Sequence, residues 1–360
     1  MDDPAVFQTS TYLVLNGFNG QLDLEQTSIP RPTPSGSVVV RVLSTPVRNN
    51  HRAVFHGKGL LSYKLPYHPG DGCVGRVISI GPDVVALEPG ELVYMSNFIT
   101  TRDPNPTVTL GFWRDVAIVP AENAVPLDET TLVHVMGYSY GDLNYIQRLS
   151  VAYGSIRAAN LQAGDTVIVA PANTGSFSGA IIELAVQIGC KVIAISRCAS
   201  RLEPLTSRFP HVAALELIGD EKKDTEAIHT LAPQGVNAYI DISLPASTED
   251  PHHLTVSINS LSRFGRVVFS GMMSNININY TSLMARNITI TAKLMYTREE
   301  LVSLIEMIEG GVIKLGKDAG HRIVERGYRL DEWEEAVTAA ETAVGWGEQV
   351  LFCPSEDVME

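Results

Sequence analysis

At 360 residues the chain exceeds the usual size of one domain, and with 45% hydrophobic residues it can fill a large core, so two domains are expected. A formal net charge of -13 without a basic block argues against nucleic acid and anionic membrane surfaces as partners. The four cysteines, Cys73, Cys190, Cys198 and Cys353, form no C-x-x-C pair, which excludes a disulfide framework and a cysteine-cage zinc and fits a reducing compartment.

Residues 1–127 read as short strands broken by Gly and Pro. SVVVRVL from Ser37, VGRVISI from Val74, a run from Glu91 after Pro89-Gly90, and Val116 to Val119 before Pro120 suggest a small irregular barrel. From about Glu129 the pattern turns helical. Further strands are expected at 166–170, 191–195, 214–218, 238–242, 266–270 and 288–292, with helical stretches between the earlier ones. That alternation marks a doubly wound parallel sheet. Glu299 to Glu309 and Leu330 to Glu341 are amphipathic helices, and Glu348 to Phe352 is a last strand. The start, MDDPAV, has no apolar h-region, and no apolar run is long enough for a bilayer, so a soluble cytoplasmic protein is expected.

The stretch Gln162 to Arg201 concentrates the chemistry. Thr166 to Ala170 is a buried strand, Pro171 to Ser178 a loop of small residues, Gly179 to Ile188 a helix stopped by Gly189, and Lys191 to Ile195 a second strand. In such a βαβ unit the helix N-terminus points free N–H groups and a positive dipole end at a dinucleotide pyrophosphate. The G-x-G-x-x-G frame falls on Asn173, Gly175 and Ser178, so only the middle glycine survives. The residues expected to hold the phosphates are Asn173, Thr174, Gly175, Ser176, Phe177 and Ser178.

An NAD site expects Asp or Glu at the end of the second strand. This chain has Ser196 and Arg197, with Arg201 behind and no carboxylate before Glu203. A hydroxyl and two guanidinium groups suit a 2′-phosphate, so NADPH is the expected cofactor. Ser270, Gly271 and Met272 end a later strand and are expected to line the nicotinamide through backbone groups.

Four segments carry a resemblance. PGDGCVGRVISIGPDV (Pro69 to Val84), PGELVY (Pro89 to Tyr94), GFWRDVAIVPAENAVPLD (Gly111 to Asp128) and SRFGRVVFSG (Ser262 to Gly271) resemble, in order, motifs of the medium-chain dehydrogenase/reductase superfamily. The resemblance spans nearly the whole chain. It implies an α/β protein with a GroES-like β-barrel catalytic domain (1–127 and 299–360) and a Rossmann doubly wound domain (128–298). In that frame the catalytic zinc ligands of the alcohol dehydrogenases fall at about Arg48, Asp71 and Gln147, with Gly72 in place of a Glu, and the structural zinc lobe is missing. Arg cannot ligate a metal, and Asp with Gln is a poor zinc site.

The chain therefore resembles the zinc-free branch, with quinone oxidoreductases and enoyl reductases. Such enzymes pass hydride from a reduced nicotinamide to an enone or quinone, an acceptor already electrophilic enough to need no metal. The resemblance also implies a homodimer through the edge of the dinucleotide sheet, and the alternating run 275–279 is expected to extend that edge. Tyr63 and His51 are the candidate proton donors. Asn49, Asp71, Asn97, Tyr140 and Gln147 are candidate pocket residues, and Tyr94 is a further polar group there. Two alternatives remain open: a zinc-free carbonyl reductase or alcohol dehydrogenase, and a non-catalytic NADPH-binding protein.

Overall fold

The computed structural model of the protein describes residues 9–59, 63–98, 111–172, 177–243, 251–273, 275–324 and 327–354. Its strands are β1 (Thr9–Val14), β2 (Asp23–Ser28), β3 (Ser37–Val47), β4 (Gly72–Ile80), β5 (Leu92–Ser96), β6 (Val116–Pro120), β7 (Ala124–Pro126), β8 (Thr166–Ala170), β9 (Lys191–Ser196), β10 (Val212–Glu216), β11 (Val236–Asp241), β12 (Leu261–Phe269), β13 (Thr289–Ala292), β14 (Arg322–Ile323) and β15 (Glu348–Phe352). Its α-helices are α1 (His51–Phe55), α2 (Tyr140–Leu143), α3 (Ile146–Ala158), α4 (Phe177–Gln187), α5 (Glu203–Arg208), α6 (Glu221–Leu231), α7 (His252–Asn259), α8 (Tyr280–Arg286), α9 (Arg298–Glu309), α10 (Gly316–Ala319) and α11 (Trp333–Thr342). Two compact units form: Met1–Gln147 with Lys314–Val344 and Glu348–Glu360, and Arg148–Ile313 with Gly345–Gly347.

The first unit is built on β3. Its β-branched run places Val38, Val40 and Val42 in a core with Val77, Val93 and Val119. The sheet runs β14-β15-β3-β4-β5-β7, and β6 also pairs with β3. Register shifts along the β3–β4 pair, at Val39/Val40 and Val42/Ser44, add the local bending that a curved sheet needs. The C-terminal strand β15 pairs antiparallel with β3, Val350 opposite Val47 and Phe352 opposite Thr45, so the chain end completes this sheet as expected.

The second unit is a six-stranded parallel sheet in the order β10-β9-β8-β11-β12-β13. Counted within the unit this is 3-2-1-4-5-6, two mononucleotide halves whose order reverses between β8 and β11. Val167, Ile168 and Val169 are fully buried, as a strand covered on both faces requires. Helix α4 buries Ala180, Ile181, Ile182 and Leu184 and ends before Gly189, whose φ of +98° allows the chain to turn into β9.

Two boundaries differ from expectation. The units divide after residues 147 and 313, not after 127 and 298. Residues 128–147 fold onto the barrel because Ser44 Oγ donates to the carbonyl of Tyr140 (3.0 Å) and Arg76 of β4 grips both Glu129 and the Tyr140 hydroxyl. Helix α9 stays with the parallel sheet, where its Glu300 takes both oxygens to Lys293, just past β13 (2.9 and 2.8 Å). The run 275–279 forms no strand among its described residues. Asn279 is instead the N-cap of α8, its side chain accepting the Ser282 N–H (3.0 Å).

Candidate active site

The carboxyl ends of β8, β9, β11 and β12 lie along the edge at which sheets of this kind bind ligands. Asn173, Thr174, Gly175 and Ser176 lie outside the described residues. Phe177 opens α4, and Ser178 beside it is fully buried. Ser196 ends β9 with its Oγ accepting the Cys198 N–H (3.3 Å). Arg197 and Arg201 are exposed, and neither has an ion-pair partner among the described residues. The adjacent strand supplies a carboxylate that sequence order conceals. Glu216 is the register partner of Ser196 and accepts the Ala199 N–H (2.9 Å). Cys198 lies between the arginines, its thiol pulled below the usual range by a hydrogen bond with Ser200 and by Arg201.

At the end of β11, Asp241 is buried and collects donors. Tyr239 Oη and Ser243 Oγ donate to Oδ1 (2.8 and 2.7 Å), and Ser243 N to Oδ2 (3.2 Å). Ser243 Oγ also meets His253 Nε2 (2.9 Å). This network explains Gly271. A Cβ there would lie 2.5 Å from Ser243 N and 2.6 Å from Asp241 Oδ2, a backbone atom and a carboxylate held by its hydrogen bonds. The expected use of Ser270–Met272 is thereby narrowed. The Ser270 and Met272 N–H groups are already spent on Asp241 O and Ser243 O (2.9 and 2.8 Å), and Ser270 Oγ pairs with Ser155 Oγ (2.8 Å).

In the barrel unit, three residues distant in sequence converge. Arg48, just past β3, forms an ion pair with Asp71, just before β4. Gln147 of α3 donates to the same carboxylate oxygen (3.5 Å). Asp71 and Gln147 are buried, while the Arg48 side chain keeps 23% of its surface. Asn97 is buried beside them, its N–H on Asp71 O (3.2 Å) and its Nδ2 on Gly70 O (3.2 Å). Gly72 leaves room for Tyr94, whose Oη would sit 2.8 Å from an added Cβ.

Comparison with known proteins agrees with both halves. Residues 34–129 match the profile of the alcohol dehydrogenase GroES-like domain, and residues 178–310 that of zinc-binding dehydrogenase. The mitochondrial enoyl-[acyl-carrier-protein] reductase of Rattus norvegicus is 26% identical over 62% of this chain, a stretch that spans about half (52%) of the reductase. The quinone oxidoreductase of Rattus norvegicus is 21% identical over 80% of this chain and 82% of its own. The crystal structure of AibC superposes with a TM-score of 0.77 over 99% of both chains at 18% identity. The chain belongs to the medium-chain dehydrogenase/reductase superfamily.

A zinc ion, which one superfamily profile implies, does not fit the residues present. The three side chains at the metal-ligand places are a guanidinium, a carboxylate bound to it, and an amide. A permanently charged arginine cannot donate a lone pair to a metal. Among the described residues no three His, Cys, Asp or Glu side chains gather as a metal cluster.

The two proton-donor candidates separate. His51 is only 3% exposed, stacked on Phe55 and edge-on to Trp113. Its Nδ1 accepts the Arg48 N–H (3.0 Å), and burial, with the Arg48 charge, pushes its pKa well below the ordinary value. His51 is therefore a neutral packing residue that fixes the Arg48 backbone, which corrects its assignment as an acid. Tyr63 is half-buried, edge-on to Tyr67, and its hydroxyl has no hydrogen-bond partner among the described residues. Burial raises its pKa and the Arg48 charge opposes the rise, so Arg48 acts on it electrostatically.

The pocket set is partly corrected as well. Asp71, Asn97 and Gln147 come together, but Asn49 is exposed. The Tyr140 hydroxyl is committed to a separate structural ring, donating to Glu129 (2.8 Å) and accepting from Arg76 (2.9 Å). Among the described residues no helix is long and apolar enough to cross a membrane.

Proposed function

We propose that this superfamily member is a zinc-independent, NADPH-dependent cytoplasmic reductase that delivers hydride to the activated C=C of a small apolar enone or quinone. The observation that carries the reading is the Arg48–Asp71 pair with Gln147: at the places where the resemblance puts the metal ligands stand an arginine, which cannot ligate, and an Asp with a Gln, which make a poor zinc site. The kinship to enoyl reductase and quinone oxidoreductase points to the same acceptor class.

The residues at the end of β9 fit the dinucleotide. Arg197, Arg201 and Ser196 would take the 2′-phosphate, and the N-terminus of α4 at Phe177 and Ser178 would face the pyrophosphate. When bound, the cofactor supplies the hydride. The Glu216 carboxylate opposes a phosphate there, but it is held by the Ala199 N–H and is outnumbered by two arginines. Tyr63 supplies the proton that completes reduction of the C=C bond.

We also propose that the chain pairs with a second copy through β13. That strand lies at the end of the sheet and exposes Ile290, and Ile276, Tyr280 and Met284 in the segment that leads to it are exposed as well. Light scattering at micromolar concentration should give a dimer.

NADPH consumption with a panel of enones, quinones and ketones tests the activity. Turnover of enones or quinones, unchanged by chelator, is expected. Turnover of ketones alone would replace the reading with a carbonyl reductase, and NADPH binding without any turnover with a non-catalytic protein.

A further inference from the structure

We propose that Cys198 is a modification site that switches cofactor binding off: its thiol exchanges with a small anionic disulfide such as glutathione disulfide, and the attached group then bars the 2′-phosphate from the end of β9. The proposal rests on the NADPH reading above and adds a regulation to that same site. In the exchange the Cys198 thiolate attacks one sulfur of the disulfide. A bond forms from Sγ to that sulfur, the original S–S bond breaks, and the other half leaves as a thiolate that takes up the proton Cys198 gave to solvent. Cys198 is oxidised and half of the disulfide is reduced, so no further oxidant is needed. A reducing thiol reverses the step.

The thiol stands in the turn that carries both arginines. Arg197 precedes Cys198 directly, and Cys198 is the N-cap of the 199–202 turn, its carbonyl accepting the Arg201 N–H (3.2 Å). The groups around it have donors to spare. Ser196 is only 9% exposed; its Oγ accepts the Cys198 N–H (3.3 Å), and its own O–H has no acceptor among the described residues. Arg197 and Arg201 are exposed, with no ion-pair partner among the described residues. Glu216, the carboxylate across the strand pair, is taken up by the Ala199 N–H. A buried hydroxyl donor beside two uncommitted guanidinium groups calls for an anion. The carboxylates of glutathione disulfide answer that call as a phosphate does, so the site gathers the reagent at the thiol.

Reactivity singles out the same residue. Cys73 and Cys190 are buried, and burial pushes Cys73 up and both Cys190 and Cys353 up to about 11. Cys198 is partly exposed, and the Ser200 hydroxyl (3.2 Å), helped by the Arg201 backbone and charge, holds its thiol below the usual range against the opposite pull of Glu216. The thiolate is the form that exchanges. Once attached, the glutathionyl group brings negative charge and bulk to the arginines that would hold the phosphate. Cap and NADPH therefore exclude one another, and NADH, without the phosphate, is excluded less.

The test treats the full-length protein with glutathione disulfide and follows intact mass and NADPH binding. One glutathionyl group should add to wild type and none to Cys198→Ser, which should bind NADPH as wild type does. Capped wild type should bind NADPH about ten- to a hundredfold more weakly, the loss expected when a charge-assisted bond is removed, and dithiothreitol should restore the affinity. NADPH bound beforehand should slow the addition, and NADH at the same concentration should slow it less. Hydroxyethyl disulfide, which is uncharged, should react more slowly than glutathione disulfide, and added salt should narrow that gap.

The switch fails if the group goes onto a cysteine other than Cys198, if capped wild type keeps its NADPH affinity, or if the uncharged disulfide reacts as fast at low salt. In each of these cases a wild-type preference for NADPH leaves the cofactor reading standing. If wild type binds NADH as tightly as NADPH while cap and cofactor still exclude one another, the switch stands and the NADPH reading alone is wrong. If the chain binds neither dinucleotide, both fail.

Discussion

The ends of β3 and β9 each present arginine, and the two differ in every physical respect. Arg48 is paired, its backbone anchored by a buried histidine. Arg197 is exposed and has no ion-pair partner among the described residues. A cation neutralised inside the protein favours a ligand that arrives neutral and becomes negative. A cation in water favours a ligand that already carries charge. The first arrangement suits an uncharged ligand, and the second suits the phosphate of the proposed NADPH cofactor.

Removing the partner should separate them most. Asp71→Ala takes the carboxylate away from the Arg48 guanidinium, a change that costs about 3–5 kcal/mol in a fully buried pair, and roughly 2–3 kcal/mol here because Arg48 is partly solvated. Urea unfolding should show a lower midpoint at an unchanged slope. A loss below about 0.5 kcal/mol would erase the contrast, since the pair would then behave like any surface bridge.

Arg197→Ala should leave stability within about 0.5 kcal/mol, as exposed substitutions do, and act on the cofactor instead. Loss of a charge-assisted bond of about 1.5–3 kcal/mol should raise the KM for NADPH roughly ten- to a hundredfold. NADH, without the phosphate, should barely respond. Equal changes for the two cofactors would show that Arg197 does not read the phosphate.

His51 links the arginine to pH. Its folded pKa is depressed below 6.5 by burial first and by Arg48 second. Below 6.5 the unfolded chain therefore binds a proton that the folded one refuses. The contribution of neutral His51 is complete above about pH 6.5 and is lost as pH falls toward the depressed value. His51→Phe should keep the stacking on Phe55 but orphan the Arg48 N–H, costing about 1–2 kcal/mol at neutral pH. The variant should also flatten the stability curve between about pH 5 and 6.5. An unchanged acid slope would mean that His51 is solvated.

Much of this was legible in the sequence because the signals are local. The β8–α4–β9 unit follows from periodicity and a stop glycine, and each of its edges falls within two residues of expectation. The domain boundaries were less legible, because α9 has an ordinary amphipathic pattern and only the Lys293–Glu300 pair fixes its side. The 275–279 alternation matched a strand until Asn279 took a capping role. In RNNHR, His51 reads as a candidate acid because Trp113, which meets it edge-on and helps to bury it, comes from a distant segment. Arg48 registered only as a residue unable to bind metal, since its meaning depends on Asp71 and Gln147, which only the fold brings to it.

Glu216 shows the same dependence on register, and its expected effect is the smallest. On the sequence it trails Arg197 by a whole helix, yet strand pairing sets it beside Ser196 and turns its carboxylate onto the Ala199 N–H. If Arg197 and Arg201 select for a 2′-phosphate, Glu216 selects against one, because like charges at an exposed site repel by a few tenths of a kcal/mol to about 1 kcal/mol. Glu216→Gln keeps an acceptor for Ala199 and removes only the charge. NADPH should bind about two- to fivefold more tightly, on the scale of 1.4 kcal/mol per decade, and the gain should shrink in high salt as screening takes over. NADH should change little, or weaken if the carboxylate reaches its ribose hydroxyls. Titrating both cofactors against wild type and variant at two salt concentrations decides the matter. A tighter NADPH complex that ignores salt would point to a rebuilt loop rather than a removed charge, and Glu216 would then be a cap for the 199–202 turn and nothing more.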